Sequence, residues 1–225
     1  DIDGESSYDY SGSSVSLSAD GSVVAIGAYQ NDGGGSNSGH VRIYENNNGT
    51  WTQIGSDIDG ESDTNYLGWS VSLSDNGSVV AISAPNNDGN GTYSGHARIY
   101  ENNNGTWTQI GSDIDGESSS DYSGSVVRLS SDGSIVAIGA YANDGGGSNS
   151  GHVRVYENNN GTWTQIGSDI DGESSSDYFG WSVSLSSDGS VVAIGARYND
   201  GGGGNSGHVR IYENNNGTWT QIGSD

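Results

Sequence analysis

Apolar and polar residues alternate at every second position over short stretches of this chain, a period that belongs to half-buried β-strands and not to helices. The second of its repeating stretches shows the pattern most clearly. A strand is predicted over 69–74, with Trp69, Val71 and Leu73 on one face, and the turn Asp75-Asn76-Gly77 leads into a second strand over 78–84. A third strand over 96–101 sets Ala97 and Ile99 opposite His96, Arg98 and Tyr100. Asn103-Asn104-Gly105 then turns the chain into a fourth strand over 106–111, which carries Trp107 and Ile110. Asn-Gly and Asp-Gly tolerate the positive φ that tight hairpins require, so strands a and b, and strands c and d, pair as short hairpins. The two remaining connections, Pro85 to Gly95 and Ser112 to Ser123, are rich in Asp, Asn, Gly and Ser and read as loops. No stretch reads as a helix.

The pattern recurs. Asp-Ile-Asp-Gly-Glu begins at Asp1, Asp57, Asp113 and Asp169, a spacing of 56 residues, which divides the chain into units 1–56, 57–112, 113–168 and 169–225, with Asp225 opening a fifth copy. Four-stranded antiparallel units of this length are blades of an all-β propeller. A superperiod runs through them: the residue before strand a is Ser13, Trp69, Ser125, Trp181, and the residue after strand b is Tyr29, Pro85, Tyr141, Arg197. Two opposed Trp and two opposed Ser would fill a narrow axis, with Tyr29 and Tyr141 replacing the volume lost at Ser13 and Ser125. A ring closed by these four blades is therefore expected, with Trp69 facing Trp181. Half of an eight-bladed ring and a slice of a longer array are the alternatives.

Phe179-Gly180 and Tyr66-Leu67-Gly68-Trp69 before strand a, the pairs Gly27-Ala28, Gly139-Ala140 and Gly195-Ala196 with Ala84-Pro85 after strand b, and Gly-His-x-Arg-x-Tyr in strand c resemble the FG-GAP repeat of integrin α-subunit propellers. The resemblance covers the whole chain. It implies a propeller fold and, in the family, calcium held in a long acidic a-to-b hairpin. Here that hairpin is reduced to Asp20-Gly21, Asn76-Gly77, Asp132-Gly133 and Asp188-Gly189, so the family calcium site is absent.

Composition excludes several functions. The chain has no Cys, which removes disulfides and thiolate metal sites, and its four His are too few and too far apart for a zinc box. Six cations, all Arg, against 29 acids give a net charge of −23, so a nucleic-acid partner is not expected. No apolar run approaches the roughly 20 residues that span a bilayer, so membrane insertion is not expected either. The absence of Met, initiator included, is expected of a processed or partial chain, from which a signal peptide could have been removed. An apolar content of 30% with this charge would by itself suggest disorder, and only the alternating pattern argues otherwise.

Five of the seven acids in each repeat fall in the long loops at one end of the blades. The d-to-a loops place Asp1, Asp3, Glu5 and Asp9, then Asp57, Asp59 and Glu61 with Asn65, then Asp113, Asp115, Glu117 and Asp121, then Asp169, Asp171, Glu173 and Asp177 at relative positions 1, 3, 5 and 9. Such spacing can wrap oxygen ligands around Ca²⁺, and the alternative is that Asp, Ser and Gly build turns. His40, His96, His152 and His208 read as residues stacked between blades. Asn48, Asn104, Asn160 and Asn216 begin Asn-Gly-Thr acceptors for N-glycosylation, and Asn90 and Asn76 also fit. No GxSxG elbow or unique Ser-His-Asp grouping is present, so an enzyme is not expected. The sequence points instead to an extracellular or cell-surface structural or adhesive protein that associates with itself or a surface partner through its acidic loops. The alternative is a multivalent lectin-like propeller that binds glycans.

Overall fold

The structure is a computed structural model that describes residues 1–224; Asp225, with the predicted fifth copy that it opens, lies outside the described residues. Four antiparallel sheets follow one another, each with strands in the order a-b-c-d. Blade 1 comprises Ser14–Leu17, Val23–Ala28, His40–Asn47 and Thr50–Gln53. Blade 2 comprises Val71–Leu73, Val79–Ala84, His96–Asn103 and Thr106–Gln109. Blade 3 comprises Val126–Leu129, Ile135–Ala140, His152–Asn159 and Thr162–Gln165. Phe179–Leu185, Val191–Ala196, His208–Asn214 and Trp219–Gln221 form blade 4. Among the described residues there is no helix. The c-to-d turns form as expected, with Asn48 at φ 52° and Gly49 at φ 90°, the paired positive values of a tight two-residue hairpin.

One predicted loop is a strand. Ile58–Asp59, Ile114–Asp115 and Ile170–Asp171 each pair with the strand c that precedes them, as in Val41 opposite Ile58 and His40 opposite Asp59. Each of the first three blades is thus completed by the first residues of the next repeat, and blades and repeats are staggered. The rest of the d-to-a segment is also knitted to the blade: Thr64, Tyr66 and Leu67 donate backbone N–H groups to Ser36, Asn37 and Ser38.

Successive blades pack face to face around three apolar cores. Ala25, Val41 and Ile43 of blade 1 meet Val71, Leu73, Val80 and Ile82 of blade 2, and equivalent residues meet at the next two junctions. Three sets of hydrogen bonds reinforce them. The a-to-b turns form a backbone chain in which Ala19 donates to Asp75, Asp75 to Ser131 and Ser131 to Ser187. Serine hydroxyls of strand a accept backbone N–H groups of the next blade, Ser16 from Leu73 and Ser72 from Leu129. At the outer edge Trp107, Trp163 and Trp219 donate Nε1–H to the carbonyls of Ile54, Ile110 and Ile166.

The glycines of the FG-GAP signature lie at these junctions. Gly68 has φ +86°, and a Cβ there would lie 2.6 Å from the His40 carbonyl oxygen, with the Cα of Gly27 also at its side. Both glycines let the backbones of neighbouring blades touch.

The expected closed ring is corrected. Apolar cores form at the three successive junctions, while Val15 and Leu17 of blade 1 and Val209 and Ile211 of blade 4 stay exposed. Trp69 and Trp181 do not converge on an axis, because each is captured at a junction by a Tyr of the preceding blade. Tyr29 meets Trp69 at 5.1 Å between ring centroids and Tyr141 meets Trp181 at 4.9 Å. Large residues meet large ones, so the volume exchange expected within a blade does not occur.

Gly68→Ala is expected to destabilise the protein by more than about 1 kcal/mol, from left-handed strain plus the carbonyl clash. Gly204→Ala, at a site with open space, should be close to neutral. Urea denaturation of the two variants checks this.

Candidate functional site

The d-to-a and b-to-c segments gather at one end of each blade and form a repeated well there. In blade 1 the well is lined by Glu5, Asp9, Asn31, His40, Asp57 and Asp59 and encloses ≈ 330 Å³. In blade 4 the counterpart, with Glu173, Asp177, Asn199 and His208, encloses ≈ 560 Å³.

The four acids of one segment do different jobs in these wells. Asp9, Asp121 and Asp177 are buried and accept hydrogen bonds from the Nδ2 groups of Asn31, Asn143 and Asn199 at 3.0, 3.0 and 2.8 Å. In the second repeat that position is Asn65, also buried. Asp57, Asp113 and Asp169 accept from Gln53, Gln109 and Gln165 across the end of strand d. Glu5 and Glu117 lie 3.5 Å from the guanidinium groups of Arg42 and Arg154, and Glu61 and Glu173 pair with Arg98 and Arg210. Asp113 also grips Arg98 through both oxygens, at 2.9 and 2.7 Å. Asp1 and Asp3 lie exposed at the start of the chain, and the Asp3 carbonyl accepts from Arg42.

What converges is drawn from two repeats and centred on a histidine: Glu5, His40 and Asp57; His96, Asp113 and Asp115; and Glu117, His152 and Asp169. The His Nδ1 atoms lie 3.5–3.7 Å from Asp57, Asp113 and Asp169. This donor set, with an imidazole nitrogen at its centre and a guanidinium beside it, does not fit the all-oxygen calcium cage expected from the spacing. His40, His96 and His152, read from the sequence as inter-blade stacking residues, centre these groups; among the described residues the histidine ring contact is that of His208, 6.3 Å from the Phe179 ring. The sequence signal that finds them is the pairing of His with Asp59 in register, which depends on the extra strand.

Burial pushes His96 and His152 down to about 4, and Arg98 and Arg154 push the same way, so both imidazoles are neutral at pH 7. Burial opposes ionisation of Asp113, but Arg98 and Gln109 outweigh it and hold the carboxyl below its usual value. Asp115 and Asp171 are raised by burial and by the neighbouring Asp113 and Asp169.

The same end of the molecule carries an arc of aromatic rings. Tyr10, Tyr66, Tyr122 and Tyr178 all hold φ between 52° and 59°, a left-handed conformation that costs a non-glycine residue about 1 kcal/mol or more. They pack against Tyr29, Tyr141 and Tyr198 at centroid distances of 5.2–5.7 Å, stacked in the pairs Tyr10–Tyr29 and Tyr122–Tyr141 and edge-on or tilted in the others. The opposite end carries the glycosylation candidates: Asn48, Asn104, Asn160 and Asn216 are exposed at hairpin tips, and Asn76 accepts two serine hydroxyl hydrogen bonds within its own turn. Asn90 lies among the long loops, donating to the carbonyl of Gly116.

Two further surfaces are the ends of the arc. Val15 and Leu17 are 64% and 59% exposed, where Val71, Val127 and Val183, in the position of Val15, are at most 6% exposed. Val209 and Ile211 are 65% and 42% exposed, where Val41 and Ile43 are at most 1% exposed. Sequence repetition could not reveal this, because it gives all four blades the same residues.

Residues 3–44 and 169–212 match the FG-GAP repeat family. The first and fourth repeats thus carry an FG-GAP match. No curated protein matches it significantly. Among solved structures it is similar to the periplasmic gluconolactonase of Pseudomonas aeruginosa, with TM-score 0.63 and 14% identity over 94% of this chain and 56% of that one. A Bacteroides uniformis protein described as a candidate 6-phosphogluconolactonase gives TM-score 0.60 and 13% identity over 92% of this chain and 52% of that one. The chain spans about half the length of these structures, and at such identity the likeness is one of fold. It corrects the expectation that this chain is not an enzyme. Propellers described as lactonases share the architecture, so neither a repeated fold nor the lack of a serine-hydrolase motif excludes catalysis.

Both histidines hold fewer protons when folded than when unfolded between about pH 6.5 and 4, so their contribution to stability is lost as pH falls through that window. The melting temperature should fall there. A His96→Gln, His152→Gln variant should show a shallower fall, as measured by differential scanning calorimetry at each pH.

Proposed function

We propose that this is a structural or adhesive repeat protein that joins copies of itself end to end through its terminal blades. The observation that carries the reading is that the two end faces are the two halves of the internal junction. Blade 4 presents Val209, Ile211 and Ile222 where blade 1 presents Val41, Ile43 and Ile54 to its neighbour. Blade 1 presents Val15 and Leu17 where blade 2 offers Val71 and Leu73. Ser184 on blade 4 and Trp51 on blade 1 occupy the positions that make the inner and outer hydrogen bonds at the internal junctions, where Ser16 accepts from Leu73 and Trp107 donates to Ile54.

Burying these five side chains is worth about 1.5–3 kcal/mol each, against about 4–15 kcal/mol for lost translational and rotational freedom. That balance favours a concentration-dependent assembly over a permanent one. The contact is head to tail, so it yields a ring if the rotation closes and a filament if it does not. The superperiod continues across it, with Arg197 and the partner copy's Ser13 taking the places of Pro85 and Ser125. This reading moves the contact from the acidic loops to the blade faces, since like-charged loops repel one another. Exposed Asn-Gly-Thr tips support an extracellular or cell-surface setting. A lectin with one sugar per repeat has weaker support, because the aromatic groups differ from one junction to the next.

Sedimentation velocity over a concentration series tests the proposal. The parent protein should shift to larger species as concentration rises. Val209→Lys, which changes an exposed residue of the single chain, should weaken association at least ~10-fold by burying a charge in the joint. A strictly monomeric parent, or equal association in the variant, would reject it.

A further inference from the structure

The junction between blades 2 and 3 differs from its neighbours in being incompletely filled. At the first and third junctions a Tyr of one blade packs on a Trp of the next. At the middle junction the corresponding residues are Pro85 and Ser125, and the missing side chains leave a cavity of ≈ 200 Å³ walled by Tyr66, Trp69, Tyr122 and Tyr141. Trp69 is 44% exposed there, with Tyr29 and Tyr66 covering its other sides.

The fourth repeat shows what such a surface attracts. Its residue in the place of Pro85 is Arg197, and the Arg197 guanidinium carbon lies 3.5 Å from the centroid of Trp181 and 4.3 Å from that of Tyr198. Trp181 is the equivalent of Trp69. A cation thus rests on the indole in one repeat, and in the other the same position carries a proline whose short ring leaves the cavity open. Electron-rich aromatic faces attract cations, most strongly when partly desolvated, and a chain of net charge −23 concentrates cations around it.

We propose that the cavity between blades 2 and 3 is a binding site for a small organic cation of the alkylammonium type, held against Trp69 as Arg197 is held against Trp181. The site lies at an internal junction, so it does not depend on association between copies.

The test is ¹H–¹⁵N NMR of the indole N–H signals during titration with tetramethylammonium chloride, with sodium chloride holding ionic strength constant. The Trp69 signal, assigned by its loss in Trp69→Phe, should shift saturably. 3,3-Dimethyl-1-butanol, an uncharged analogue of similar shape, should bind about tenfold more weakly or not at all. Pro85→Arg should fill the cavity with its own guanidinium and abolish the response; the fourth repeat already carries Arg at this position, so the fold accommodates it. Trp181→Phe should leave the titration unchanged. No saturable shift, equal binding of the neutral analogue, or an undiminished response in a folded Pro85→Arg variant would overturn the proposal. So would a preference for a neutral sugar such as glucose over the cation.

Discussion

Every blade of this protein is stable only because another blade lies against it. The first half of strand c, His96 to Ile99 and His152 to Val155, is buried on both faces in the two inner blades, so a single sheet cannot cover it alone. The junction supplies what a sequence of 30% apolar residues lacks. Small residues such as Ala25 and Gly27 allow close backbone approach, and the apolar contacts are backed by hydrogen bonds from serines, turns and the outer tryptophans. Because the repeat copies the junction along with the blade, blades 1 and 4 each leave one half of it exposed. The exposure of Val15 and Val209 follows from the same contacts that bury Val127 and Val153.

Charge follows a similar logic. The acids crowd one end of the molecule, but their positions are set by partners reached from distant parts of the chain. Glu5 meets Arg42 and Asp9 meets Asn31, while Asp57 stands beside His40 from the preceding repeat. The four strand-c arginines, buried at most 8% exposed, each have a glutamate, and removing such a glutamate would leave a buried charge uncompensated. The wells are polar parts of the fold before they are anything else, and the imidazoles of His96 and His152 stay neutral because they are buried.

Much of this was legible in the sequence. Period-2 alternation and the Asn-Gly turns located the four main strands of each blade, and the FG-GAP glycines pointed to the propeller architecture. The Ile58–Asp59 strand was missed because Asp and Gly dominate its neighbourhood and disfavour strands, although Ile58 and its equivalents are buried. The ion pairs of these acids were not legible, since spacing along nine residues says nothing about an arginine 37 positions away, as Arg42 is from Glu5. The superperiod was visible but assigned to the wrong contact. Ser13 and Tyr29 alternate with Trp69 and Pro85 because Tyr29 packs forward onto Trp69 of the next blade, and only the junction geometry shows that direction.

The central claim is that the terminal faces are unfilled junctions that another copy completes. Hydrogen–deuterium exchange across a range of protein concentrations tests it most directly. The account predicts that strands 126–129 and 152–159 are protected at every concentration, whereas 14–17 and 208–214 exchange quickly in dilute solution and gain protection together as concentration rises. Terminal strands as protected as the inner ones at the lowest concentration, or unprotected at the highest, would contradict it.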